Sequence, residues 1–210
     1  SISNGSVQMV ATDGHRLAFV KSDNNIEDKS VQIQTLIPMT TLRELNKHLM
    51  DGSDEVLFQQ ENSHLYFYID DRLLISKQVT GQFPNYDPIL PKQINYSIIA
   101  GREQLIKAIE RVALFADYRS GSIKFKFANG QLELYSGSTE NGEAGEVMPV
   151  QYDGPIIDIA LKDSHLLQVL NILHSQDVII GLEDTQKQIQ LQPASTEHLE
   201  EKHIIMPMKI

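Results

Sequence analysis

Ile123-Lys124-Phe125-Lys126-Phe127-Ala128-Asn129-Gly130-Gln131-Leu132-Glu133-Leu134-Tyr135-Ser136 is the stretch from which the fold can be read. Apolar and basic side chains alternate from Ile123 to Phe127, the period of a strand with one face in a core and the other in water. Asn129-Gly130 follows. Both residue types tolerate positive φ, which the tightest hairpin turns demand, so a second strand is expected from Leu132 to Ser136. Upstream, Glu103 to Leu114 carries Leu105, Ala108, Ile109 and Val112 at helical spacing. That stripe predicts an amphipathic helix with one apolar face.

The same helix, strand, polar turn and strand recur on both sides. Before it come a helix over Thr40–Met50 with Leu42, Leu45 and Leu49 on one face, a strand over Glu55–Gln59, the turn Glu61-Asn62-Ser63 and a strand over Leu65–Ile69. Thr41 and Glu44 have capping-box spacing at the start of that helix. After it come a helix over Ser164–His174 with Leu166, Val169, Leu170 and Leu173, a strand over Val178–Leu182, a turn around Asp184-Thr185 and a strand over Gln188–Leu191. A unit repeated at intervals points to an architecture built by duplication. Strands outnumber helices, and each helix has one face to bury, so the expected class is α+β, with helices packed on antiparallel sheets.

Composition narrows the function. Of 210 residues, 41% are hydrophobic and 22% charged, ordinary values for a chain that can build a core. There is no cysteine, which excludes disulfides and thiolate metal sites and fits a reducing compartment. Runs such as Val178-Ile179-Ile180 are too short to span a bilayer, and Ser1–Val10 has no basic start leading into a long apolar stretch. The net charge of −10 argues against tight gripping of nucleic acid over the whole surface, because such affinity comes from cations neutralising phosphates. It leaves room for a local basic face.

Three prolines between Pro84 and Pro91 mark a boundary, giving expected domains at 1–92 and 93–210. The second holds two repeats. The first holds one, preceded by a hairpin over Val7–Val20, and so is expected to lack its opening half.

Three segments then carry a resemblance. Val10-Ala11-Thr12-Asp13-Gly14-His15-Arg16-Leu17-Ala18, Gly81-Gln82-Phe83-Pro84-Asn85-Tyr86 with Leu90-Pro91, and the terminal Ile205-Met206-Pro207-Met208-Lys209-Ile210 resemble, in order and spacing, signature segments of the beta subunit of bacterial DNA polymerase III, the sliding clamp. The likeness covers essentially the whole chain. It implies the clamp fold, in which each subunit has three similar domains of duplicated units and two subunits close into a homodimer ring around double-stranded DNA. It implies a cytoplasmic, non-catalytic processivity factor without cofactor, metal or membrane attachment. Residues 1–92 would be the remainder of the middle domain and 93–210 the carboxy-terminal domain. The fragment would not close a ring by itself.

The resemblance also implies site residues. Thr12, Gly14, His15, Arg16, Leu17, Pro84, Ile89, Ile204, Met206, Pro207 and Met208 would form a pocket for short extended peptides from DNA polymerases, the clamp loader and repair proteins. Their chemistry suits that use: Met adapts to several partners, Leu, Ile and Pro give apolar surface, and His15 and Arg16 can bond carbonyls or a terminal carboxylate. Taken alone, Asp13-Gly14 is turn chemistry beside an exposed His15-Arg16, and Met206–Met208 is a strand and tail packed on a core. Pro88 stands where clamps often carry arginine, and Lys209-Ile210 replaces the commoner arginine and leucine.

Arg43 with Lys47, and Lys107 with Arg111, share helix faces at i, i+4 spacing. Such pairs read either as solvated faces or, by the resemblance, as DNA-facing. The helix from Ser164 carries no Lys or Arg. Leu114 and Phe115 read as core or, by the resemblance, as subunit interface, with Glu146 on an adjoining acidic edge strand from Glu140.

Enzyme chemistry is not written in the chain. There is no G-x-S-x-G elbow, P-loop or dinucleotide fingerprint. His198 and His203 with Glu200 and Glu201 match no metal-ligand spacing and read as a solvated loop, and Asp51, Asp70 and Asp71 read as turn residues. Two alternatives remain: a stand-alone peptide-binding adaptor of the same fold, and an enzyme using His15 as acid or base.

Overall fold

The computed structural model describes residues 1–23, 26, 28–49, 55–138, 142–184, 187–196 and 199–209. In chain order the elements are β1 (Ile2–Ser3), β2 (Ser6–Thr12), β3 (Arg16–Ser22), α1 (Met39–Leu49), β4 (Leu57–Glu61), β5 (His64–Ile69), β6 (Arg72–Lys77), β7 (Tyr96–Gly101), α2 (Arg102–Ala113), β8 (Ser122–Ala128), β9 (Gln131–Ser138), β10 (Gly142–Pro149), β11 (Ile157–Lys162), α3 (Asp163–Ile172), β12 (Asp177–Leu182), β13 (Ile189–Pro193) and β14 (Leu199–Ile205). The class is α+β with antiparallel sheets. Among the described residues, no helix is long and apolar enough to cross a membrane.

By packing, the chain divides into one unit of Ser1–Asn4 with Lys29–Asn85 and another of Gly5–Asp28 with Tyr86–Ile210. This differs from a single cut at residue 92. The early hairpin goes with the later unit because β3 pairs along β14.

In the first unit α1 accompanies the meander β4-β5-β6. Leu65, Phe67 and Ile69 alternate inward along β5 and are buried, while Leu57, Tyr68, Leu73 and Ile75 remain exposed. The Asn62-Ser63 turn takes φ of 47° and 64°, as a two-residue hairpin requires. Asp70, at φ 52°, turns the chain from β5 into β6; Asp51 and Met50 lie outside the described residues. The capping-box reading of Thr41 is corrected. The helix starts earlier, with the Pro38 carbonyl accepting from the Thr41 and Leu42 N–H groups. Proline suits a helix start because it has no N–H to leave unsatisfied. Thr41 is instead buried inside the helix, its hydroxyl 2.6 Å from that of Ser76.

The second unit shows the duplication in its strand order. One sheet runs β10-β9-β8-β11; the other contains β14-β13-β12-β7. Shifting every label by one repeat converts one order into the other. In each repeat a lead strand runs straight into a helix, and three strands follow. The lead strands are exchanged: β7 pairs with β12 of the second repeat, and β11 pairs with β8 of the first. Arg102 fastens the helices together, donating from Nε to the Ser175 carbonyl at 3.0 Å and from its guanidinium to the Leu170 carbonyl at 3.1 Å. A cation at the last carbonyls of α3 complements the negative end of its dipole.

One hydrophobic core spans both repeats. It takes Leu105, Ala108, Ile109 and Val112 from α2, Leu166, Val169 and Leu170 from α3, and inward residues such as Phe125, Leu132, Ile159 and Ile180 from the sheets. Asn129 and Gly130 adopt φ of 48° and 76°, the two positive values of the expected hairpin turn. The sheets differ at their far ends. β14 is continued by β3 and then β2, whereas β10 is outermost in its sheet among the described residues.

Candidate functional site

The early hairpin and the carboxy-terminal tail meet in the second unit. β3 and β14 are antiparallel neighbours with Leu17 opposite Ile204 and Arg16 opposite Ile205. The contact continues past the strand ends: the Met206 N–H donates to the His15 carbonyl at 2.9 Å, and the Met208 N–H to the Ala160 carbonyl at 2.8 Å. The tail is thus held on one side by the turn after β2 and on the other by β11.

That turn is rigidified by its own side chains. Thr12 donates from Oγ1 to the Arg16 carbonyl at 2.7 Å, and the Gly14 N–H donates back to Thr12 Oγ1 at 3.2 Å. Asp13 Oδ1 accepts the N–H groups of His15 and Arg16, each at 3.0 Å, while Oδ2 receives Arg16 Nε at 3.0 Å. Burial raises the Asp13 pKa, but these hydrogen bonds and the Arg16 charge outweigh it and hold the carboxyl below its usual range. Gly14 has φ of +87°, a conformation that favours residues without Cβ.

Beneath the turn lies a small apolar cluster. Leu17, Phe19 and Ile204, at 2%, 7% and 0% exposure, form its buried part, with Val10, Tyr86, Ile89 and Leu90 packed against it. The Tyr86–Leu90 segment is shaped locally by the Ile89 and Leu90 N–H groups donating to the Tyr86 carbonyl. It is fastened by Gln188 Nε2 donating to the Ile89 carbonyl at 3.1 Å, and Gln8 Nε2 donates to the Tyr86 hydroxyl. Above this layer His15 and Met206 are exposed, Met206 by 43%. Pro207 and Met208 are half-buried. Thr12, Gly14, His15, Arg16, Leu17, Ile89, Ile204, Met206, Pro207 and Met208 therefore belong to one region, with apolar side chains beneath and imidazole, guanidinium and thioether at the rim. Pro84 is exposed and belongs to the first unit.

The sequence reading missed His165. It lies on the first turn of α3, and its ring centroid is 6.3 Å from that of His15. Nothing in the linear sequence signals a pairing between residues so far apart in the chain.

The basic helix faces are less uniform than their spacing implied. Arg43 and Lys47 are exposed on α1, with Lys47 paired to Glu44 at 2.9 Å. Lys107 is exposed on α2. Arg111 is turned to β10, where its guanidinium holds the Glu146 carboxylate through two contacts, one at 2.8 Å. Hydrogen bonding with Arg111 lowers the Glu146 pKa, and the same bond raises that of Arg111. A cavity of about 210 Å³ lies there, lined by Gln104, Lys107, Arg111, Glu146 and Met148.

Leu114 is 75% exposed and Phe115 lies at the surface, so the core reading of this helix end is corrected. Tyr118, Tyr135 and Val147 are also exposed in this part of the first repeat. The solvated-loop reading of the later histidine is corrected as well. His203 is buried on β14 with Glu201 Oε1 2.8 Å from its Nε2; His198 lies outside the described residues.

Comparison with known proteins divides the chain at one point, next to Tyr86, and so places the early hairpin with the first match. Residues 1–85 match the family model of the DNA polymerase III beta subunit, central domain, and residues 87–209 match that of its C-terminal domain. A beta sliding clamp of Proteus mirabilis is 33% identical over 211 residues, covering 99% of this chain and 56% of the relative. One from Chlamydia pneumoniae is 33% identical over 182 residues, covering 87% and 49%. A crystal structure of the DNA polymerase sliding clamp from Pseudomonas aeruginosa superposes with a TM-score of 0.92 at 28% identity, covering 100% of this chain and 57% of that one. The chain thus spans about half the length of the relatives it matches.

Proposed function

Because this chain belongs to the DNA polymerase III beta subunit family, we propose that it is the partner-docking portion of a bacterial DNA sliding clamp. Residues 1–92 serve as the remainder of the middle domain and residues 93–210 as the carboxy-terminal domain. The region around Leu17, Ile204 and Met206 receives short extended peptides from DNA polymerases, the clamp loader and repair proteins. The observation that carries this reading is the Met206 N–H bonded to the His15 carbonyl, continuing the β3–β14 pairing. It joins the two most diagnostic stretches of the sequence into one rim above a buried apolar layer. A site of this kind, mostly apolar with a few convergent polar groups, is suited to a small linear ligand.

The protein acts by tethering, in the cytoplasm, without chemistry of its own. Arg43, Lys47 and Lys107 supply sparse positive charge on helix faces, as expected of a surface that passes along phosphates without reading bases. Arg111 contributes less to such a face, since Glu146 already neutralises it. The open edge of β10, with Leu114 and Phe115 nearby, serves the subunit joint of the homodimer ring, where exposed backbone groups can continue a sheet across subunits.

The test is a fluorescence anisotropy titration with a labelled peptide carrying a Gln and a Leu-Phe apolar end. Micromolar-class binding that is lost in Met206→Asp supports the reading. A Met206→Asp protein that is folded and binds unchanged rejects it.

A further inference from the structure

We infer that His15 and His165 together form a carboxylate-recognising subsite at the rim of this docking region, with His165 setting its preference for acidic peptides. The inference rests on the docking reading and deepens it. His165 comes from α3, while His15 belongs to the turn that holds the tail, and their rings face each other at 6.3 Å between centroids with a 33° tilt. That spacing is too wide for a direct hydrogen bond between the rings. It leaves an acceptor with two oxygens able to approach both.

The surroundings favour an anion there. Charged and titratable groups act on His165 from the turn, as Asp13, His15 and Arg16, and from β11, as Lys162. Asp13 is the acid among them, and both its oxygens are already occupied by Arg16 and the His15 N–H. Against this one acid stand the two cations Arg16 and Lys162. Burial, followed by the Arg16 charge, holds the His165 imidazole below the usual histidine range. Without ligand the ring is therefore largely neutral at pH 7.

An arriving carboxylate, from a Glu side chain or a peptide's terminal carboxyl, reverses this balance. Opposite charge beside an imidazole favours its protonated form. Binding then takes up a proton, which is transferred from buffer to the ring, and the carboxylate accepts the resulting N–H bond. By linkage, affinity must rise as pH falls wherever the complex holds more protons than the separate partners. Arg16 stays with Asp13 and needs no rearrangement.

The experiment is isothermal titration of the full chain between pH 6 and pH 8, in two buffers of different ionisation enthalpy. Three peptides are compared: one with an internal Glu and a free carboxy terminus, its Glu-to-Gln counterpart, and its carboxy-terminal amide. The expected result is proton uptake on binding, with affinity rising by up to about tenfold for each unit that the carboxylate raises the imidazole pKa. Either the Gln peptide or the amide loses that rise, which identifies the source of the carboxylate. His165→Gln makes the profile flat near the high-pH affinity of the unaltered protein. Binding that is equally tight at all pH values, or uptake that persists in both altered peptides, overturns this inference and leaves the docking reading intact. No binding of any peptide overturns both. The peptide comparisons need only the unaltered protein, so the result does not depend on how the variant folds.

Discussion

The two repeats of the carboxy-terminal unit share one strand order, yet their outer strands differ. β14 is paired on its outer side: β3 lies along it, and Ile204 and Ile205 at its end are wholly inaccessible. β10 occupies the same place in the first repeat, but it is outermost among the described residues, with Val147 exposed. The helices diverge in parallel. α2 carries Lys107 and Arg111 and is followed by exposed Leu114, whereas α3 has no Lys or Arg and brings His165 beside His15. Duplication supplied two equivalent frames, and the local side chains left one with its outer strand unpaired on one side among the described residues and gave the other two further strands.

The contrast can be broken most forcefully at Ile204. Ile204→Asp buries a charge with no partner and should destabilise the unit by about 3–5 kcal/mol or more, read by denaturant unfolding. The same holds for a charge at Leu17, which is why Met206 is the better probe of binding. Ile109→Ala and Leu170→Ala, in the two helices, should each cost about 2–5 kcal/mol. If the core is truly shared, either one should lower the midpoint of a single transition. Melting of one repeat while the other persists would contradict that.

Arg111→Ala should cost much less, since the pair with Glu146 is at the surface, and the loss should shrink further as salt is added. Asp13 gives a pH-dependent effect. Its folded pKa lies below the usual carboxylate range, so its contribution is present above that range and lost as pH falls through the folded pKa. Asp13→Asn should therefore flatten the acid limb of stability measured from pH 5 downward. The smallest change is expected for Val147→Asp, within about 0.5 kcal/mol, because the position is already in water. A large loss there would mean that β10 is covered in solution.

Much of this was legible. The Asn129-Gly130 turn, the stripes of α2 and α3 and the turn at Asn62-Ser63 follow from local chemistry, and the terminal segments identified the junction at Met206. The lead strands β7 and β11 were not read. Each enters its helix with no intervening turn residues, at Gly101-Arg102 and Lys162-Asp163, so no punctuation separates them. Their partners lie in the opposite repeat, and alternation reports a face, not a neighbour. Thr41 misled because a hydroxyl followed by Glu at the right interval resembles a cap, whereas Pro38 had already begun the helix. His165 stayed hidden because its relation to His15 exists only after α3 docks.

The swapped lead strands have a consequence for the origin of this architecture. One repeat made alone would carry a first strand with no slot of its own, together with an empty slot of the same shape. Two such chains would complete each other by trading strands. The present unit is what results when that mutual loan is written into a single polypeptide, and neither half can be removed without stranding the other.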